Sequence, residues 1–345
     1  WIVVSMLIFE VPTGIIADRY GRKTSLLIGQ FLTFGMTAIM LTGQSYLPFA
    51  LMAILIGLII TFFSGAEESL IYDTLKESDS EGRMKTVMGK ITSATSMPMI
   101  IIAPIGSFIA RDLTQRQFTT LIIMGFSIGL ITKILTLTLR EPKREMEVEG
   151  ESAIKMFLDS LDKIRRNPRI VRLFINQTII LIAASHIFMN IWQPYLQDLG
   201  VPVLYFGILM AIGAAFRVLL YRNLERIEKR VDDRLLLWLT AALPFLGLAL
   251  GVFWRSAIIG IIVFLLIRVF IAIRNPVFSH YYNQEIKSGN RATILSSLSV
   301  VDSAFDVVLI LSAGFIANIS IYYTMIFSAV LILIAMTLFP IKSEH

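Results

Sequence analysis

Runs of about 20 apolar residues, broken by short charged or Pro/Gly turns, recur along the entire chain and limit its fold more than any other feature. A hydrocarbon layer about 30 Å thick is crossed by about 20 residues of α-helix. It offers no outside partner for backbone N–H and C=O groups, so a chain made of such runs satisfies them within helices. Eleven runs can be read, over 1–17, 24–43, 47–75, 86–110, 118–139, 170–195, 203–220, 235–253, 257–278, 292–317 and 321–340. Apolar residues make up 56% of the chain and charged ones 16%, and the mean hydropathy is +0.74. An all-α membrane protein with many crossings is the expected fold class.

The lysines and arginines test this map, because short cytoplasmic loops collect them. If the loop 18–23 is cytoplasmic, 25 of the 31 basic residues fall on that side or at helix ends facing it. Only Arg111, Arg116 and Arg255 lie opposite, and Lys133, Arg217 and Arg268 stand inside runs. The net charge of +6 therefore belongs to loops against a membrane surface and implies no nucleic-acid partner. The chain has no cysteine, so disulfides, thiolate metal sites and cysteine nucleophiles are excluded. Its three histidines, 186, 280 and 345, form no metal-ligating spacing, and no Walker A loop or nucleophile constellation occurs. Neither an enzyme nor an ATP-driven machine is expected, and no cofactor.

One long polar stretch interrupts the runs. Residues 140–169 read as a cytoplasmic linker carrying an amphipathic helix over 153–164, with Ile154, Phe157, Leu158 and Leu161 on its apolar face. Five runs precede the linker and six follow, so the domains are 1–139, 140–169 and 170–345. The first run starts at Trp1, and the expectation is that one further helix precedes it in the parent protein.

The first basic loop reads Gly14-Ile-Ile-Ala-Asp18-Arg19-Tyr-Gly21-Arg22-Lys23. It resembles, at every signature position, the G-x-x-x-D-R-x-G-R-[KR] motif of the major facilitator superfamily. In physical terms, Gly14 would let helices approach closely, Asp18 would cap or face the start of a neighbouring helix, Gly21 would permit a tight turn, and the cations would hold the loop on the cytoplasmic side. The resemblance implies two pseudo-symmetric helical bundles, here holding helices 2–6 and 7–12, so that 11 of an expected 12 are present. It also implies an acidic partner for the motif arginines, for which Asp73 is the candidate opposite Arg22; Glu67 and Glu68 lie near the same helix end. The matching loop of the second half, 221–234, is charged without the glycines. Phe9-Glu10-Val-Pro12-Thr-Gly14, Gly65-Ala-Glu67-Glu68-Ser-Leu-Ile-Tyr72-Asp73 and Arg291-Ala-Thr-Ile-Leu-Ser296 are similar to segments of bacterial drug-proton antiporters. Ala103-Pro104-Ile-Gly106 stands where those antiporters carry G-P-x-x-G.

Ionisable groups deep in a run cost about 2.5 to 3.5 kcal/mol on insertion scales and are candidates for function. Asp302 lies eleven residues beyond Arg291, about 16 Å in at 1.5 Å per residue, and Asp306 follows one turn later on the same face. The pair is either a proton relay or a set of structural partners for Arg217 and Arg268. Those arginines either attract an anionic cargo or neutralise the two carboxylates. Glu10, about 12 Å inside the membrane beside Pro12, either takes up a proton or braces a neighbour. His186, with Asn190 one turn on and Gln177 nearer the cytoplasm, either packs or lines a cavity. Lys133 is expected to snorkel toward the cytoplasm.

The resemblance implies a secondary transporter of the bacterial inner membrane, working as a monomer by alternating access, with a small-molecule substrate, protons and the lipid bilayer as partners. The leading expectation is proton-coupled export of small hydrophobic compounds. Uptake or uniport of a sugar or organic acid is the alternative within transport, and a non-transporting sensor or lipid-handling protein the alternative outside it.

Overall fold

The computed structural model of the chain describes residues 1–42, 45–78, 80, 84–141, 153–228, 233–285 and 291–341. Among them every regular element is helical: α1 (Ile2–Tyr20), α2 (Arg22–Thr42), α3 (Tyr46–Glu77), α4 (Met84–Ile109), α5 (Gln115–Thr138), α6 (Ala153–Arg166), α7 (Pro168–Leu181), a π-helical turn (Ile182–Ile187), α8 (Phe188–Asp198), α9 (Leu204–Glu228), α10 (Asp233–Phe253), α11 (Ala257–Glu285), α12 (Arg291–Ala317) and α13 (Ile321–Leu338). Among the described residues eight helices are long and apolar enough to cross a membrane, while the apolar stretches Met97–Ile109 and Leu204–Leu220 are shorter. Large apolar side chains such as Phe315 (74% exposed) and Ile319 (75%) face outward, as lipid-facing residues do. The protein is a multi-pass membrane protein.

Helix starts follow the local chemistry. Thr114 accepts from the Gln117 amide while Gln117 Oε1 accepts from the Thr114 amide, a reciprocal capping box at α5. Asn167 caps α7, with Pro168 in the first-turn position that needs no N–H. Hydroxyls within the helices turn back onto their own carbonyls, as Thr13 does to Phe9, Thr37 to Thr33 and Ser312 to Val308.

The chain divides into two compact units, one of Trp1–Thr95 with Ile109–Glu149 and one of Ser96–Phe108 with Gly150–His345. In the first, α1 and α2 both pack on α3. A Cβ at Gly57 would stand 2.3 Å from the Ile2 carbonyl oxygen, and Ser5 Oγ donates to the Ile54 carbonyl at 2.7 Å. α5 packs on α2 through Gln30 Nε2 donating to Thr136 Oγ1 at 2.6 Å and through Phe34 against Phe126, centroids 5.0 Å apart. The close-packing glycine of α1 and α3 is thus Gly57. At Gly14, the motif glycine expected to let helices approach closely, a Cβ would meet nothing within 4 Å.

In the second unit, Phe188, Tyr195, Leu196, Leu248, Phe264 and Met325 are wholly buried. Trp192 lies between Phe206 and Phe264, with centroids at 5.2 and 4.6 Å. Residues 96–108 of α4 cluster with this unit: Gly207 of α9 sits so close that a Cβ would be 2.0 Å from the Ala103 carbonyl oxygen, and Ser107 Oγ donates to the Leu204 carbonyl at 2.9 Å. α6 buries Ile164 against Ile170, Phe174, Ile294 and Leu298, with Leu161 beside them. Leu158, expected on that apolar face, is 57% exposed, because the buried stripe runs through the later turns of the helix. Residues 142–152 and the side chains of Ile154 and Phe157 lie outside the description.

Gly57→Leu would force α1 off α3 and is expected to lower stability by about 1 to 3 kcal/mol or more. Thermal unfolding of the detergent-solubilised protein measures it. Gly14→Ala, which meets no neighbour, should leave the midpoint unchanged or slightly raised.

Candidate functional site

Thr178 stands ten residues into α7 and Asp302 eleven into α12, each about 15 Å from its helix start, so the two helices present polar groups at one depth. Thr178 Oγ1 donates to Asp302 Oδ1 at 2.5 Å. One turn further along α12, Asp306 Oδ1 lies 2.8 Å from His186 Nδ1. Asp306 is buried, and the His186 side chain keeps 35% of its surface exposed. With Nδ1 committed to Asp306, Nε2 is the ring nitrogen left for a proton or a ligand.

His186 belongs to the π-helical turn. Such a turn widens the helix and displaces its hydrogen-bond ladder, leaving backbone groups to be met otherwise. Asn190 does this by donating from Nδ2 to the His186 carbonyl at 2.8 Å. Apolar layers bracket the cluster: Phe174 meets Phe305 edge-on at 6.4 Å, and Ile182, Ile187 and Ala313 form a buried group. A proton placed on His186 makes an imidazolium–carboxylate pair with Asp306, with Asp302 a second negative charge nearby.

The alternative in which arginines neutralise these carboxylates fails for Arg268. Its Nη1 reaches only Met189 Sδ, at 3.9 Å, and its stem lies against Gly213; among the described residues no ion pair joins it to Asp302 or Asp306. The short-range partners Thr178 and His186 occupy the carboxylates instead. Arg217 is half-buried on α9 and Gln177 half-buried on α7. Glu10 is exposed on α1 and its carboxylate meets no partner among the described residues. No group of three possible metal ligands occurs among the described residues.

Lys133 does not run toward the basic end of its helix. It is 8% exposed, with Nζ donating to Thr33 Oγ1 at 3.1 Å and lying 3.4 Å from the Phe34 ring centroid. Its side chain points back along α5 toward Gly129, as Cβ directions in a helix favour.

The motif loop closes on an unforeseen residue. Gly21 has φ of 110°, a left-handed value suited to glycine, and a Cβ there would stand 3.1 Å from the Glu141 carboxylate. Glu141 Oε1 and Oε2 accept the Arg22 and Lys23 amides at 2.7 and 2.8 Å, so the anion sits on the start of α2. Lys23 Nζ donates to the Leu137 carbonyl at 2.7 Å, and Arg22 Nε lies 3.9 Å from Asp73 Oδ2. The role of capping a helix start, expected of Asp18, is carried at α2 by Glu141; the side chains of Asp18 and Glu68 lie outside the description.

Asn176 and Arg274 were not foreseen as partners; Arg274 counts among the 25 basic residues on the cytoplasmic side or at helix ends facing it. It is 1% exposed. Its guanidinium donates to the Leu237 carbonyl, Thr240 Oγ1 and Asn176 Oδ1 and lies 4.5 Å from the Phe278 ring centroid. Asn176 Nδ2 in turn donates to the Ala335 and Phe339 carbonyls, both at 3.0 Å. The network ties α7, α10, α11 and α13 at one end of the unit. An amide at position 176 inside an apolar run was the available signal.

The sequence matches the model of one protein family, the Major Facilitator Superfamily, over residues 2–305. It is 25% identical over 300 residues to the uncharacterized MFS-type transporter YxaM of Bacillus subtilis (strain 168), covering 85% of this chain and 73% of that one. The fold is similar to a crystal structure of the nucleoside transporter NupG bearing one substitution, with TM-score 0.78, 14% identity, and coverage of 98% and 89%. It is also similar to a bacterial homolog of the human lysosomal transporter Spinster in its inward-facing, unoccupied conformation, with TM-score 0.66, 14% identity, and coverage of 96% and 85%. Identities of 14% carry the fold and no more.

Glu141→Ala removes both acceptors from the start of α2 and is expected to speed hydrogen exchange of the Arg22 and Lys23 amides by about tenfold, the scale of a lost cap of about 1 kcal/mol or slightly more. Exchange followed by mass spectrometry on the peptide spanning 21–30 measures it.

Proposed function

The chain belongs to the Major Facilitator Superfamily, and from that premise we propose that it is a proton-coupled secondary carrier whose proton is held between His186 and Asp306. The observation that carries the reading is the 2.8 Å contact between His186 Nδ1 and Asp306 Oδ1, on a π-helical turn and among apolar neighbours. Binding a proton turns a neutral imidazole beside a carboxylate into an ion pair, a change of one charge in a low-dielectric site. A carrier couples two ligands when one changes the affinity for the other, and a charge change of this kind biases which conformation is stable. Asp302, held by Thr178, is the second proton-accepting group of the relay. The motif loop, with Arg22 beside Asp73 and Glu141 on the start of α2, is the latch that a conformational cycle makes and breaks.

The cargo we propose is a small, mostly hydrophobic compound exported from a bacterial cell across the inner membrane by alternating access of bundles 1–139 and 170–345. The segments that resemble drug-proton antiporters support this choice. A second reading, uptake of a polar solute such as a sugar or organic acid, is favoured by the half-open imidazole of His186 and the exposed Asn190, which offer hydrogen bonds to a hydroxylated cargo.

In vesicles loaded with a pH dye, cargo is expected to drive proton flux that Asp306→Asn and His186→Gln each reduce by about tenfold or more, with cargo binding retained. Asp302→Asn should also reduce it. Flux elicited by lipophilic cations fits export; accumulation of a polar metabolite fits the second reading. Proton flux untouched by either His186→Gln or Asp306→Asn would remove this pair from the coupling step.

A further inference from the structure

Two facing stripes run from one end of the second unit to the proton site. On α7, Ile170, Phe174 and Thr178 follow one another at intervals of four residues, and on α12 so do Ile294, Leu298, Asp302 and Asp306. The hydrogen bond from Thr178 to Asp302 joins the two stripes. Nearer the helix starts, the end that the basic-loop rule assigns to the cytoplasm, Ile170, Phe174, Ile294 and Leu298 form one buried apolar cluster. Eight residues of α12, or about 12 Å, separate Ile294 from Asp302.

The fifth buried member of that cluster comes from outside the two helices. Ile164 of α6, 7% exposed, joins it, with Leu161 partly buried beside it. α6 has 14 residues, a length that is marginal for a helix on its own in water. Only its later turns touch the seam, since Leu158 is exposed. Its last turn carries Lys163, Arg165 and Arg166, and Arg169 and Arg172 follow, all exposed. Such a run of cations holds a helix at an anionic headgroup surface. α6 is thus a lightly attached cover on the end of the α7–α12 seam, and elements with few buried apolar contacts are the ones that open at low cost.

A proton travels through water or along polar groups, and an apolar constriction that excludes water stops it. We propose that α6 is the cytoplasmic gate of the proton site: seated between α7 and α12, Ile164 closes the seam below Asp302, and lifting α6 opens a wet route from the cytoplasm to that carboxylate. That a proton uses this route rests on the carrier reading; the closure of the seam by Ile164 does not.

The chain has no cysteine, so one introduced thiol reports alone. Asp302→Cys, in the full chain in lipid vesicles, is treated from the α6 side with a small anionic thiosulfonate, which needs a wet route. Its reaction is expected to be about tenfold or more slower than that of a reference thiol, Leu158→Cys, on the exposed face of α6. In the Asp302→Cys background, Ile164→Glu should speed the reaction by about tenfold or more, the scale set by the burial of one isoleucine, and Ile164→Ala by less. The negative charge added at position 164 repels the reagent and so works against the expected rise. Leu158→Glu should leave the rate unchanged. Ile164→Ala carries the test if Ile164→Glu disturbs the fold, which thermal unfolding reports. Reaction at Asp302→Cys as fast as at Leu158→Cys, or a rate that neither Ile164 variant changes, would mean that α6 does not close the seam and would overturn the proposal. An equal rise with Leu158→Glu would overturn the role given to Ile164. The readout needs no transport: a faster reaction in Ile164→Glu alongside proton flux indifferent to Asp306→Asn would keep the gate and discard the carrier reading.

Discussion

A helix surrounded by hydrocarbon keeps every backbone group satisfied from within, and any polar side chain it carries is left to find a partner on its own backbone or on a neighbouring helix. That constraint organises the polar chemistry of this protein. Hydroxyls return to their own helices, as at Thr13, Thr37 and Ser312, and cost nothing in fold specificity. Those that reach across, such as Ser5 to Ile54, Gln30 to Thr136 and Thr178 to Asp302, fix which faces meet. Apolar packing against lipid is non-directional, so these few bonds and the glycine contacts at 57 and 207 define the register of the helices.

The π-helical turn at Ile182–Ile187 bends that rule at one place. It gives up regular ladder bonds in a setting where each lost bond is costly, and the loss is offset locally by Asn190 on the His186 carbonyl. What the distortion achieves is the aim of a single imidazole at Asp306. A regular helix would carry a different side chain to that spot, since one extra residue in a turn rotates everything beyond it by about 100°, as 3.6 residues complete a turn. The turn thus brings a titratable ring and two carboxylates together at the same depth.

Much of this was legible in the sequence, for physical reasons. Helices of about 20 apolar residues leave a compositional trace, basic loops mark their sides, and the glycine of a left-handed turn at Gly21 is readable from its motif. The depth of Asp302, Asp306 and His186 also follows from counting at 1.5 Å per residue. What counting cannot supply is rotation and partner choice. It left the carboxylates equally open to arginines and to other groups, because two helices at one depth can face in any direction. The partners Thr178 and Glu141 were invisible for that reason: a threonine in an apolar run and a glutamate at the edge of a linker look ordinary until the backbone brings them to Asp302 and to the Arg22 and Lys23 amides.

The two buried cations differ in how many fixed partners they meet. Arg274 spreads its planar guanidinium over the Leu237 carbonyl, Thr240 and Asn176, and Asn176 passes the connection to the end of α13. Its two Nη groups are met by fixed acceptors on α7 and α10, which makes it a brace between helices. Lys133 offers a compact ammonium with one oxygen and one ring beside it. Both residues are over nine-tenths buried, so burial alone does not distinguish them. The shape of the head group does, because a planar fork bonds several fixed acceptors at once whereas a compact ammonium is held by one hydroxyl and one ring face.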